Sequence, residues 1–447
     1  MSHCKEPELT GRIVLPGERP YGDARQEFNT FFNRFPRVIV FVQETQDVIN
    51  ALLWARHHDV PIRIRSGRHS YEGLSVVDCG LVIDVSDMTQ VEVDRRSGTA
   101  TVQTGIRNFA LYEALGAEGL VVPSGICPTP GIGGVSLGGG HSILSRPYGL
   151  TIDHLIGLEM VDADGHVITT NADHNADLFW ASRGGGGGNF GVCTSYRFRT
   201  HCIETVGFAE ISWDLQDLEA VLRTWQDYAT PCADERFTST LGIAAGEQSS
   251  MLMQGVFLGS VRELCHLLQP LLRAGSPQKV TIEEIPWLEA VSLISAQQPE
   301  SPQPFKSVAS YIYDPLPDSG IATIRHFIDR LPDSSIASIL FQSVGGAVAK
   351  VPSHATAYFY RQAQSVMQPW ITWTNPDAAV PGIHWVEEFR LAMLPFTHGV
   401  YVNTPDLSIK DWPEAYYGSN FERLTKVKAK YDPENVFQFP QSIPPSH

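Results

Sequence analysis

The apolar positions of this chain change period several times along its length. Residues 37–47 read Arg-Val-Ile-Val-Phe-Val-Gln-Glu-Thr-Gln-Asp, an apolar run closed by polar residues. That pattern predicts a short buried strand followed by a helix start with Thr45 as N-cap. Val48, Leu52, Leu53 and Ala55 then supply an apolar helical stripe. Residues 61–65 alternate as a second strand and run into Ser66-Gly67. Further strands are predicted near 81–85, 90–94 and 99–103, with a helix near 107–118. Short strands mixed with helices mark an α+β unit.

Between 125 and 191 the pattern is broken by glycine, in Gly138-Gly139-Gly140 and in the five glycines 184–188. Strand-like residues such as Leu158-Glu159-Met160-Val161 flank these runs, whereas a flexible linker is polar on both sides. Glycine allows backbone to approach a large ligand closely or to adopt positive φ. Past residue 204 the texture changes. Strand-like runs (206–212, 238–243, 251–258, 308–313, 337–344) alternate with helix-like ones (215–228, 260–272, 319–331), which reads as a second α+β unit on an antiparallel sheet. From about 395 motif-rich sequence returns. Phe421, Leu424, Val427 and Tyr431 share a helical face, and Asp432-Pro433 stops that helix.

Composition narrows the function. The 447 residues carry a formal charge of -16, which argues against nucleic acid or an anionic membrane as partner. Cys4, Cys79, Cys127, Cys193, Cys202, Cys232 and Cys265 are scattered, odd in number and without a C-x-x-C pair. This is neither a disulfide scaffold nor a tetrahedral zinc site, and it fits a reducing compartment. The first residues (Glu6, Glu8, Arg12, Glu18) lack the apolar core of a secretory signal, and no stretch is long enough to span a bilayer. A cytoplasmic location is expected, with surface deposition by a non-classical route left open.

Four blocks, in order, resemble the bacterial branch of the berberine-bridge-enzyme-like FAD-linked oxidases, within the vanillyl-alcohol-oxidase superfamily of PCMH-type FAD-binding folds. They are RSGRHSYEG (65–73), GICPTPGIGGVSLGGGHS (125–142), WASRGGGGGNFGVCTSY (180–196) and YYGSNFERLTKVKAKYDPENVFQFPQSI (416–443). The resemblance covers almost the whole chain. It implies an FAD domain (30–204), an inserted α+β substrate domain built on an antiparallel sheet (205–394) and a C-terminal segment (395–447) that completes the FAD domain. The active site is then expected between them.

The resemblance also assigns residues. FAD is expected to be held twice, by an 8α-histidyl bond to His69 and a 6-S-cysteinyl bond to Cys127; imidazole and thiolate are both nucleophiles able to add to an electron-poor ring. The backbone of Ser66, Gly67, Arg68, His69 and Ser70 is expected to cradle the pyrophosphate. Arg65 or Arg68 either adds charge there or pairs within the domain. Arg68 stands where many relatives have a second glycine. Gly131, Gly133, Gly134, Gly138, Gly139 and His141 are expected along the isoalloxazine and ribityl chain. Gly191 and Val192 are expected at the adenine or ribityl part, and Tyr417 and Asn420 as a closure from the tail.

For the reaction, the family pattern Tyr-x-Asn appears as Tyr401-Val402-Asn403. On a strand these two side chains share a face, with Tyr401 as the base for a substrate hydroxyl and hydride passing to flavin N5. A tyrosine of ordinary pKa near 10 needs a cation or hydrogen-bond donor to serve as base. Thr404 replaces a frequent tyrosine on the opposite face. Tyr360 stands where relatives carry histidine and is expected to share a strand face with Tyr358; either contact with substrate or packing fits. Trp370, Trp373 and Trp385 are either a stacking platform or core, and Tyr71 either lines the pocket mouth or does not. Pro130, three residues after Cys127, stands where valine marks oxidases and bulkier residues mark dehydrogenases. The reading is an oxidase that takes hydride from a hydroxyl of a carbohydrate or secondary metabolite and forms H2O2 from O2. The alternatives are a dehydrogenase with a quinone-like acceptor and a structural or coat protein that retains the fold.

Overall fold

The computed structural model describes residues 7–246 and 249–446; Cys4 and Glu6 lie outside them. Two small sheets and one large one make up a mixed α+β architecture. The first sheet has the order β1-β2-β4-β3 (Arg12–Val14, Val38–Phe41, Leu81–Asp84, Ile62–Arg65). Its last three strands are parallel, and the helix Thr45–His57 makes the crossover between β2 and β3. Val48, Ala51, Leu52 and Ala55 of that helix are buried, while Leu53 is 36% exposed and so drops out of the predicted stripe. Thr45 is not the cap but the first helical residue. Its hydroxyl donates to Glu159 instead, and Asp47 takes the free N–H of Gln43 at 2.9 Å.

The second sheet, β5-β6-β10-β8-β9 (Val91–Asp94, Thr99–Gln103, Val192–Arg199, Leu155–Val161, Val167–Thr170), is antiparallel. A two-residue ladder joins β7 (Leu120–Val121) to β11 (His201–Cys202).

The large sheet has nine antiparallel strands. Their order is β15-β12-β14-β13-β18-β19-β17-β20, with β16 also paired to β19. They span Thr205–Trp213 (β12), Phe237–Ala245 (β13), Ser250–Phe257 (β14), Lys279–Pro286 (β15), Phe305–Ser307 (β16), Ser310–Ile312 (β17), Ser335–Ser343 (β18), Ser365–Trp373 (β19) and His398–Val400 (β20). Because β20 pairs with β17, this sheet runs past residue 394. Likewise β1 joins the first sheet ahead of residue 30.

Strand periodicity gives the large sheet two distinct faces. Leu241, Met253, Phe341, Met367 and Trp373 pack into one core with Leu222, Trp225, Ile324, Trp385 and Phe389 of the helices Leu218–Trp225, Asp318–Ile328 and Ala379–Met393. Trp373 and Trp385 are therefore core residues. The alternate positions face the other way, toward the two small sheets. Among the described residues no helix is long and apolar enough to cross a membrane, and no cluster of His, Cys, Asp and Glu is placed to hold a metal ion. Cys79, Cys127, Cys193, Cys202, Cys232 and Cys265 are free thiols.

Candidate active site

One cavity of about 650 Å³ lies between the small sheets and the open face of the large one, within the usual size range of cofactor and ligand sites. The wall facing the large sheet, where the expected flavin would lie, is made where two loops meet backbone to backbone. A Cβ on Gly67 would sit 2.0 Å from Gly131 N, and one on Gly131 would sit 2.0 Å from Ser66 Oγ. No side chain fits at either place. Ser66 donates to Thr104 O at 2.8 Å, and Gly133 N–H reaches the same carbonyl at 2.9 Å, so both loops hang from one point.

His69, Ser70, Cys127, Gly131, Gly133 and Gly134 line the cavity, as do His141, Gly191 and Tyr417. His69 stacks on Phe28 with ring centroids 4.0 Å apart, and its Nε2 lies 2.8 Å from Thr129 Oγ1. Burial, helped by the charge of Arg107, pulls its pKa down to about 3, so the imidazole is neutral. Cys127 Sγ lies 3.5 Å from Gln298 Oε1, and burial pushes its pKa up to about 12.

Arg65 and Arg68 settle on pairing within the domain. The Arg65 guanidinium is fully buried against Asp84 (2.7 Å) and donates to Ala24 O. Arg68 donates to Asp23 O at 2.8 Å. Its φ is +65°, in the left-handed region that favours glycine, and its side chain is partly exposed. Both residues border the cavity, but their head groups are engaged by these partners.

Three other expectations are corrected by geometry. Gly138 and Gly139 do not line the cavity. A Cβ on Gly138 would fall 2.0 Å from Asn403 Oδ1, and one on Gly139 would fall 3.0 Å from the Tyr358 ring and 3.2 Å from the Tyr401 ring, so these glycines make room for side chains. Val192 points into the core of the first sheet with Val40 and Ile83. Asn420 is spent on the carbonyls of Ser353, Thr356 and Ala357. Tyr417 does meet the glycine block, donating to Gly185 O at 3.0 Å.

Tyr401 and Asn403 are not on a strand. β20 ends at Val400, and residues 401–404 turn, with Thr404 N–H on Tyr401 O and Thr404 Oγ1 accepting from Ala309 N–H. The turn still aims both side chains into the cavity. Tyr401 Oη accepts from Gly140 N–H at 2.8 Å and from Asn403 Nδ2 at 2.9 Å. These two donors lower its pKa, but burial outweighs them and holds it near 12. His141 stacks on the Tyr401 ring at 4.3 Å, and its Nε2 lies 2.9 Å from Tyr358 Oη. Burial keeps His141 neutral too, with a pKa of about 3. The segment carrying Tyr358 and Tyr360 is a loop rather than a strand. Tyr360 stacks on Tyr311 and donates to Glu414 O, a packing role.

The opposite wall is a grid fixed by strand register. Gln254, Thr240, Gln342 and Val366 stand side by side across β14, β13, β18 and β19; the next rows are Leu252, Gly242, Leu340, Gln368 and Ser250, Ala244, Ser338, Trp370. All twelve line the cavity and none is charged. Tyr71 also lines it, accepting from Gln368 Nε2 at 3.0 Å. Pro130 lines it as well, together with three regions that sequence reasoning did not single out as site residues: Phe28, Gly186–Gly188 and Phe437–Gln441. Of these, the glycine run and the tail block that holds 437–441 left a readable signal, and Phe28 left none.

Residues 36–171 match the FAD binding domain family, and residues 400–444 match the family described as berberine and berberine like. The FAD-linked oxidoreductase YgaK of Bacillus subtilis is 42% identical over 445 residues, covering 99% of this chain and 98% of that protein. This chain belongs to the berberine-bridge-enzyme-like FAD-linked oxidoreductases. Among solved members of that fold, BBE-like 1 of Physcomitrella patens superposes with a TM-score of 0.91 at 29% identity, over 98% of this chain and 97% of that one. A chitooligosaccharide oxidase superposes with a TM-score of 0.86 at 27% identity, over 98% of each chain.

The cavity suits FAD. A side chain on Gly134 would meet nothing within 4 Å, so the bare backbone there leaves volume that a planar ring can fill. The cradle 66–70 offers amides to an anion.

Proposed function

We propose that this enzyme oxidises a hydroxyl group of an uncharged substrate, a carbohydrate or hydroxylated secondary metabolite, and passes the electrons to O2 as H2O2. FAD, bonded to His69 and Cys127, supplies the hydride acceptor and the route for electrons to oxygen. Tyr401 takes the proton of the substrate hydroxyl, and Asn403 orients it. The observation that carries this reading is the pair of donors, Gly140 N–H and Asn403 Nδ2, aimed at Tyr401 Oη in a cavity whose large-sheet wall carries no charged side chain. Both donors favour the phenolate. The uncharged grid supports a neutral substrate, because a charged one would lose its hydration without gaining a partner.

Since the base works deprotonated and its pKa lies well above neutrality, turnover should rise with pH from neutral into the alkaline range, about tenfold per pH unit where deprotonation limits the rate. Tyr401→Phe should keep its flavin and lose about 10²–10⁴-fold in kcat/KM. The direct test is anaerobic addition of neutral sugars and aryl alcohols while flavin absorbance is followed, then admission of air. Bleaching followed by rapid recovery and H2O2 is the expected result. Bleaching by charged substrates alone would overturn the proposal. A second reading rests on Pro130, which lines the cavity where relatives differ in oxygen use. Slow recovery in air with fast recovery on a quinone-like dye would assign a dehydrogenase.

A further inference from the structure

On the reading that FAD is attached at His69, we infer that Thr129 is the positioning residue for that attachment: its hydroxyl holds Nε2 of His69, leaving Nδ1 as the nitrogen that bonds the flavin. The contact is direct, at 2.8 Å. Phe28 covers one face of the same ring at an interplanar angle of 23°, so the imidazole is clamped both by its edge and by its face.

Thr129 is itself rigidly presented. It lies between Pro128 and Pro130, one of which fixes its own φ while the other holds Thr129 extended. The carbonyls of both prolines are anchored, Pro128 O by Phe109 N–H at 3.1 Å and Pro130 O by Asn108 N–H at 3.0 Å. Asn108 Nδ2 also donates to Cys127 O at 3.0 Å. The helix start at Asn108 therefore locates both attachment residues, Cys127 through its carbonyl and His69 through Thr129.

A neutral imidazole carries a single N–H. When the Thr129 oxygen accepts it from Nε2, the lone pair resides on Nδ1 and is ready to bond carbon. Attachment then balances as follows. The Nδ1–C bond to the 8α-carbon forms, one C–H bond of that methyl and the Nε2–H bond break, and O2 takes the two electrons and two protons as H2O2. Thr129 is half-buried, so the proton from Nε2 leaves through its hydroxyl toward solvent.

The test compares Cys127→Ala, which leaves His69 as the one attachment point, with Thr129→Val and Thr129→Ser in that background. Flavin fluorescence of the denatured band and the mass of the His69 peptide report linkage independently of turnover. Cys127→Ala is expected to carry flavin on His69. Adding Thr129→Val should leave FAD bound but slow its linkage about tenfold, the scale of one lost hydrogen bond, and Thr129→Ser should restore it. Linkage by the valine variant at the parent rate would overturn the role of Thr129 alone. A Cys127→Ala protein with no flavin on His69 would overturn the attachment reading itself, and the inference with it. If the valine variant binds no FAD, the serine variant decides: full linkage sustains the inference, and none overturns it.

Discussion

The two walls of the cavity are built in different ways. On the flavin side, backbone meets backbone, Gly67 and Gly131 sit where no Cβ fits, and the guanidinium of Arg65 is spent on Asp84. On the sheet side, side chains stand in register on a flat support, and the central position, Gly242, has no neighbour closer than 3.8 Å to a would-be Cβ. The first wall is a shape that cannot vary without losing the cofactor. The second is a surface whose chemistry can be exchanged residue by residue while the fold persists. This difference explains how a family can keep one cofactor and change substrates.

The comparison can be broken most severely at the point where the two flavin-side loops touch. Gly67→Ala puts a carbon 2.0 Å from Gly131 N, and it should cost about 5 kcal/mol, the exceptional end for a single substitution. The expected sign is protein recovered without flavin, read from the flavin-to-protein ratio. Next comes the joint between the walls. Lys306 of β16 binds Glu72, beside the histidine loop, at 2.5 Å and Asp406 of the tail at 2.9 Å, all three buried. Lys306→Met strands two buried carboxylates and should lower stability by about 3–5 kcal/mol in denaturant unfolding.

Acid should strain one wall only, because the grid holds no titratable side chain. His154, on the flavin side, lies 3.1 Å from Nε2 of His201, and burial, then the charge of His201, pulls its pKa down to about 4. The fold thus favours the neutral ring. Its contribution is complete above the unfolded value near 6.5 and is lost as pH falls through about 4. That loss is on the order of 3 kcal/mol, and a melting-temperature profile of His154→Gln should be flatter over the same window. The smallest effect is expected on the grid. Gln342→Leu removes the bond to Ser142 O and should raise KM with little change in flavin content or melting temperature, about 1 kcal/mol at most.

The same contrast governs what could be read from the sequence. The tail helix is observed at Phe421–Tyr431, where its apolar spacing predicted it, and the alternating runs of the large sheet were legible as strands. Residue type also pointed to the loops of His69 and Cys127. What sequence could not convey is direction within tight turns. Arg65 and Arg68 belong to the right loop yet their head groups are engaged within the domain, and Gly138 serves Asn403 rather than the cofactor. Asn420 carries the right polarity but is consumed by three carbonyls. Tyr401 reached its position through a turn rather than the strand expected of it. The grid was illegible for another reason: each strand shows alternation, but which rows coincide depends on register across four strands.

The cavity draws residues from Phe28 to Gln441. Near its end the chain closes on the glycine block, with Ile443 N–H on Asn189 Oδ1 and Lys428 on Asn189 O. During synthesis the enclosure therefore cannot exist until the ribosome has passed Ile443. At ordinary elongation rates Cys127 precedes Gln441 by roughly 15–60 s. Through that interval its thiol belongs to a partly formed protein, open to whatever oxidants the surroundings hold. A cofactor that needs the whole enclosure can be fully held only after Gln441 has been made.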